Sequence, residues 1–419
     1  MTHISHKPKK LKHIKLIDVF IILLFLNTFL FLLYACRTGV NAQKWLAMWN
    51  FDDNSFDFKI HVVYAADPEN LYYNATGIMG CFPPFAYLFY RFIYNLVRIP
   101  GVTLDTLAQL NTYEFINIIV SYYNIFVCLL FLYAVNLFAE IEKQKRCLLF
   151  IGLLFTVPLY ECILIGNSVF PVLSFILIAL KYRKSESPVK REIALLLIAV
   201  SAGFKMYPAI FGFLYIFEKR YAEGFRLLLY GLLIFFVPFA FFGGMNGFAG
   251  WLNNANESMS LLIFGRIQSI RSIIYTFLKL AFDLEFGTAF YSIIAYVFLV
   301  IMLILSWLSK TEYYRLLFLS SAMIFFPTYQ HRYTLIYFII PLMFYFDQEK
   351  KSESDAADYL FVLLQAGVFT IPMIYGYFTK FYMTFSYDML TFVELRIFIF
   401  AYLLLVYAVG HELFAIIRR

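Results

Sequence analysis

The sequence predicts an all-α polytopic membrane protein. Apolar runs of spanning length recur from end to end, and Lys and Arg gather beside the ends of those runs. Charged residues make up 15% of the 419 positions, against about 25% in a soluble domain. The net charge of +7 comes from the helix-end clusters, so the partner it implies is a lipid bilayer and not nucleic acid. The 51 Phe and 33 Tyr fit lipid-facing and interfacial positions.

Taken in order, residues 1–15 (MTHISHKPKKLKHIK) form a basic cytoplasmic N-terminus. The run 16–35 is too long and too poorly terminated for a cleaved signal peptide and reads as an uncleaved anchor. Residues 36–81 form the first outer loop. Its polar part begins at Asn50 and carries Asp52, Asp53 and Asp57 before closing on Phe82-Pro83-Pro84. Segment 82–98 is short, opens on prolines and carries Arg91 and Arg98. Segments 114–139, 147–163 and 168–182 follow, punctuated by the basic stretches Lys143–Arg146 and Lys181–Arg191. Segments 192–204 and 206–217 are too short for straight crossings of about 30 Å. They either sit in a thin region or continue into flanking polar residues, and Pro208 suits a helix start. Segment 224–243 leads into a large later outer loop, 244–285. The runs 286–308, 313–327, 331–346, 357–378 and 390–416 complete the chain.

The basic stretches Lys181–Arg191, Glu218–Arg226, Lys310–Arg315, Gln348–Lys351 and Arg418–Arg419 belong in the cytoplasm, as do both termini. An odd number of crossings contradicts that, so either 82–98 dips in and returns or a neighbouring segment is miscounted. The expected total is about 12 spans. No stretch between spans is long enough to fold alone, so 16–419 is expected to be one transmembrane domain.

Cys128, Cys147 and Cys162 lie in or beside apolar segments and read as packing residues, while Cys36 and Cys81 bracket the outer loop and read as free thiols or as a pair joined in an oxidising compartment. No spacing suggests a metal or haem site.

The unusual polar residues share the outer side: the aspartate cluster, Gly166-Asn167, Lys205, Asn256-Glu257-Ser258, Arg266 and His331-Arg332. A transporter places such groups near the bilayer midplane. An enzyme acting on a lipid-linked substrate places them at the interface, where a lipid phosphate lies. His61 is four residues after Asp57, on the same face of a helix. Asn74-Ala75-Thr76 and Asn256-Glu257-Ser258 are formal sequons; the first reads as chance, the second as part of a site.

These residues resemble a family. Asp57-Phe58 follows the first helix; Tyr64-Ala65-Ala66, Tyr72-Tyr73 and Phe82-Pro83-Pro84 come next. Gly166-Asn167-Ser168 is similar to a Gly-Gln-x-Asn motif with Asn in place of Gln. Lys205-Met206-Tyr207-Pro208 matches Lys-x-x-Pro. Asn256-Glu257-Ser258, with Arg266 downstream, is similar to Asn-Gln-Ser, and Pro327, Tyr329, His331 and Arg332 to a late Pro, aromatic, His-His pattern. In this order the patches resemble the GT-C superfold, specifically glycosyltransferase family 87, the polyprenyl-phosphate-mannose-dependent mannosyltransferases and relatives.

The resemblance implies a GT-C-like fold with a catalytic first outer loop. It implies a bacterial inner-membrane enzyme that moves one sugar, most simply mannose, on the periplasmic face. The donor would be a polyprenyl-phosphate sugar and the acceptor a lipid-linked or cell-envelope glycan. Such transfer needs a carboxylate to take the acceptor proton and cations to neutralise the departing phosphate. The resemblance gives Asp57 the role of base, with inversion at the anomeric carbon, and His331 a catalytic hydrogen bond. It gives Lys205, Arg266, Asn256, Ser258, Asn167, Tyr64 and Arg332 to substrate binding. A phosphate-linked lipid carries less charge than a nucleotide diphosphate, so protein cations suffice and no cofactor or obligatory metal is expected. Two alternatives are a lipid-linked oligosaccharide flippase, which predicts polar residues mid-helix, and an O-antigen-type polymerase, which also works on the outer side.

Overall fold

The computed structural model describes residues 15–38, 55–75, 79–97, 114–262, 268–328, 331–348, 356–370 and 388–418. Among them all regular structure is helical. Asp52, Asp53, Thr76, Arg98, Arg266, Tyr329 and the 380–387 part of the last outer loop lie outside the described residues.

Five stretches are long and apolar enough to cross a membrane: Leu16–Leu33, Glu114–Asn136, Tyr221–Phe241, Thr288–Leu308 and Phe398–Ile417. In α1 (Leu16–Thr38), Leu16, Phe20 and Leu24 are buried, while Ile22, Leu26, Phe29 and Leu33 face outward. Apolar groups on both faces mark a helix that meets protein on one side and lipid on the other. A sixth candidate is the pair Lys143–Leu154 and Val157–Ile165, bent by 64°. The hydropathy of 147–163 suggests one span, but Thr156 is extended and Pro158 stands in the first turn of the second helix. Proline supplies no backbone N–H to the preceding turn, so the helix breaks there.

Several other expected spans are shorter helices. Val169–Tyr182, Tyr207–Phe217 and Ala356–Phe369 have 10–17 residues each, and Pro84–Val97 has 14. At 1.5 Å per residue a 14-residue helix is about 21 Å long, less than the hydrocarbon thickness. Segment 192–204 does continue into polar residues, as the helix Pro188–Phe204. The segment beginning at His331 opens as a 3₁₀ turn, Arg332–Phe338, and becomes α-helical at Ile339. The expected later loop, 244–285, holds the helices Gly244–Ser260 and Ile270–Phe282.

The basic stretches converge on one end of the molecule. Arg183 pairs with Glu312 and Glu218, Arg191 with Glu223, and Lys181 with Asp347. The backbone N–H of Glu140 donates to Asp347, and Lys15 bonds Glu142.

A second aromatic core joins residues of 56–74, 84–97, 237–241 and 244–260. Phe58, Tyr72, Tyr87, Tyr90, Phe239 and Trp251 are buried together, apart from the main helical core. Part of the tyrosine content thus serves packing and not the membrane interface.

Candidate active site

Helix α2 (Phe56–Tyr64) presents Asp57, His61 and Tyr64 at intervals of four and three residues, so all three share a face. Its position is set by the helix Val157–Ile165, here α7 in chain order after α3 (Leu71–Asn74), α4 (Pro84–Val97), α5 (Glu114–Asn136) and α6 (Lys143–Leu154). The Ser55 N–H donates to the Leu164 carbonyl at 2.7 Å. Gly166 caps α7 with φ of +67°, and a Cβ there would lie 2.8 Å from the Phe58 Cβ. Both the left-handed backbone and the close approach require glycine.

That cap delivers Asn167 to Asp57. The Asn167 Oδ1 accepts from the Val169 N–H at 2.8 Å, which orients the amide. Its Nδ2 then donates to Asp57 Oδ2 at 2.5 Å. Burial pushes the partly buried Asp57 carboxyl up to about 6; the charge of Lys205 and the Asn167 hydrogen bond pull it down, and Glu161 pushes it up. A carboxylate with this affinity is about nine-tenths ionised at pH 7 yet still basic enough to accept a proton.

Lys205 follows the helix Pro188–Phe204 in an extended conformation, outside the spanning segments. Its Nζ sits over the Phe82 ring, 3.5 Å from the centroid. Burial lowers its affinity to about 8, while Asp57 raises it. The other side of the Phe82 environment is His61, with centroids 4.0 Å apart. Burial drives the His61 imidazole well below its usual range, so it is neutral at pH 7; its Nδ1 meets the Tyr87 hydroxyl at 3.3 Å. Phe82 also accepts the Tyr72 hydroxyl on its carbonyl, at 3.0 Å, and Pro84 opens α4 as a first-turn proline. The Phe-Pro-Pro sequence is therefore a platform for the lysine as well as a stop. Tyr64 is buried, its ring 6.3 Å from that of His61.

His331 is partly buried and stacks on Tyr333 at 5.3 Å; Tyr333 in turn feels the charge of Asp57. Arg332 is buried, and its Nη2 donates to Glu161 Oε1 at 3.3 Å, the counter-charge that a buried guanidinium requires.

Asn256 is exposed on Gly244–Ser260, whereas Asn254 is buried and donates to the carbonyls of Tyr72 and Ala75, both at 2.9 Å. Ser258 hydrogen-bonds Cys81, whose Sγ also meets the Asn254 carbonyl at 3.2 Å. No disulfide joins Cys36 and Cys81. Among the described residues, no group of three His, Cys, Asp or Glu side chains converges as metal ligands would.

Sequence reasoning missed Glu161 and Asn254. Glu161 had a signal: an acid inside an apolar segment marks function by default. Asn254 had none, since its partners are backbone carbonyls in a remote loop.

A family model described as Glycosyltransferase family 87 matches residues 82–329, more than half of the 419. The match holds Phe82, Glu161, Asn167 and Lys205; Asp57 and Arg332 lie outside it and are brought to those residues by the fold. No curated protein matches the chain. Several apolar helices suited to multiple crossings agree with that match, and the chain belongs to glycosyltransferase family 87 and is a membrane glycosyltransferase.

Proposed function

We propose that the protein transfers a single sugar, most simply mannose, from a polyprenyl-phosphate donor to a lipid-linked or cell-envelope glycan. The active site opens on the periplasmic face of a bacterial inner membrane. Residues 16–419 act as one catalytic domain of about 12 spans with both termini cytoplasmic. The carrying observation is the pairing of a base with a cation: Asp57, held by Asn167, lies in the field of Lys205.

In this reading Asp57 takes the proton of the acceptor hydroxyl as it attacks the anomeric carbon, and the sugar inverts. A β-linked donor gives an α-linked product. Lys205, with Arg266, neutralises the departing phosphate. His331 hydrogen-bonds the donor phosphate or the acceptor hydroxyl. Tyr64 and Ser258 line the substrate path, with Asn256 exposed on the outer helix. Asn167 orients the base, and Arg332, held by Glu161, is assigned with Lys205 and Arg266 to substrate binding. Protein cations do the work of charge neutralisation, so the reaction is proposed to run without an obligatory metal.

The test is transfer of radiolabelled sugar from polyprenyl-phosphate sugars in detergent, wild type against Asp57→Asn. Loss of at least about 100-fold is expected, the scale of general-base catalysis. Full activity in the variant removes Asp57 as base. A wild type that uses no such donor but translocates lipid-linked glycans overturns the proposed donor and points to the flippase.

A further inference from the structure

Resting on the reading of Lys205 as a ligand of the donor phosphate, we infer that Phe82 is its positioning residue: the face of the ring holds the ammonium in place without neutralising it. The Lys205 Nζ lies 3.5 Å from the ring centroid, well inside the roughly 6 Å reach of a cation–π contact. Among the described residues the ammonium makes no hydrogen bond and no ion pair, so its N–H donors are not spent inside the protein.

The ring itself is fixed. The Phe82 carbonyl accepts from the Tyr72 hydroxyl at 3.0 Å, and the neighbouring Cys81 carbonyl accepts from the Trp251 indole N–H at 3.3 Å. Tyr72 and Trp251 belong to the second aromatic core, so the platform is anchored to that core. His61 packs against the same ring, its plane tilted by 52°.

A ring suits an anion site better than a counter-ion does. A carboxylate at bonding distance cancels the ammonium's charge, and an incoming phosphate has to displace it. A ring presents the negative face of its quadrupole with no net charge, so the ammonium keeps both its charge and its donors. The titratable groups facing Lys205 are Asp57 and His61 from α2, Cys81 from the turn Met79–Cys81, and Cys162 from α7. Asp57 acts on the ammonium through its field and not through an ion pair, and His61 is neutral. The Phe82 face is therefore the group in direct contact that favours the charged form.

The test keeps the shape of the ring and changes its charge distribution. Phe82 is replaced by mono-, di- and trifluorophenylalanine, in which each fluorine draws electron density from the ring face. After thermal unfolding of each variant has been compared, kcat/KM is measured against pH with the polyprenyl-phosphate sugar that the wild type accepts. A weaker ring face disfavours the ammonium, so Lys205 loses its proton at lower pH. The alkaline limb is expected to move down stepwise with fluorine number, by about 0.4–1.5 pH unit for the trifluoro ring. Phe82→Leu, with no ring face, is expected to move the limb in the same direction and to raise the donor KM.

A platform that acts by shape alone leaves the limb in place across the fluorinated series, and that result overturns the inference. Lys205→Arg is run in parallel. If it keeps the wild-type alkaline limb, the reading of Lys205 fails. If the limb depends on Lys205 but ignores fluorine, only the present inference fails.

Discussion

Asn167 donates its side-chain amide to the Asp57 carboxylate across 110 residues of sequence. The bond is specific because the other end of the same amide is held by the Val169 N–H. It joins the first outer loop to the break after α7, and it stabilises the charged form of the residue assigned as base.

Removing that donor has a predictable sign. In Asn167→Ala the carboxylate loses a hydrogen bond, so its affinity for a proton rises above about 6. The acid limb of kcat/KM should move upward by roughly 0.5–1 pH unit. The rate deficit should then be larger at pH 6 than at pH 8, which a pH-rate profile reads directly.

Lys205 should produce the alkaline limb. Activity requires the ionised carboxylate of Asp57 and the protonated ammonium of Lys205. It should rise with pH through about 6 and fall above about 8, giving a bell. Lys205→Arg keeps the charge to far higher pH and should abolish the alkaline limb. Lys205→Met should cost about 10- to 100-fold in kcat/KM through loss of a charged contact to phosphate, and should also raise the acid limb.

The helix Gly244–Ser260 is fastened through Asn254 to the backbone of Tyr72 and Ala75. Asn254→Leu would leave the Tyr72 and Ala75 carbonyls without that donor, and Gly80 packs too closely for a branched side chain to settle: a Cβ built on Gly80 falls 2.2 Å from Asn254 Nδ2. A loss of about 2–4 kcal/mol is expected from two buried acceptors left unsatisfied. Thermal unfolding in detergent should show it, together with faster proteolysis between Leu71 and Cys81. Asn256→Ala, at an exposed position, should leave stability unchanged.

Much of this was legible in the chain because it is encoded locally. Apolar runs announce helices, and basic clusters announce the end of the molecule where Arg183, Arg191 and Lys181 form their ion pairs. Asp57, Asn167 and Lys205 stood out because polar residues beside apolar runs need a reason. Other features were not encoded locally. Hydropathy averages over Pro158 and so conceals the 64° bend of α6 against α7. Asn254 and Asn256 look equivalent in sequence, and only the helical phase of Gly244–Ser260 decides which one is buried.

By itself, then, the sequence determined the helical membrane architecture and the polar segment after the first apolar run that carries Asp57. Tertiary structure alone decided that Asn167 meets Asp57, that Lys205 rests on Phe82 and that Arg332 belongs to Glu161. The reason is physical. Periodicity and charge clusters act over one or two helical turns, whereas these partners are up to 171 residues apart, and their meeting depends on how a left-handed glycine cap, a broken span and an aromatic core place three separate elements.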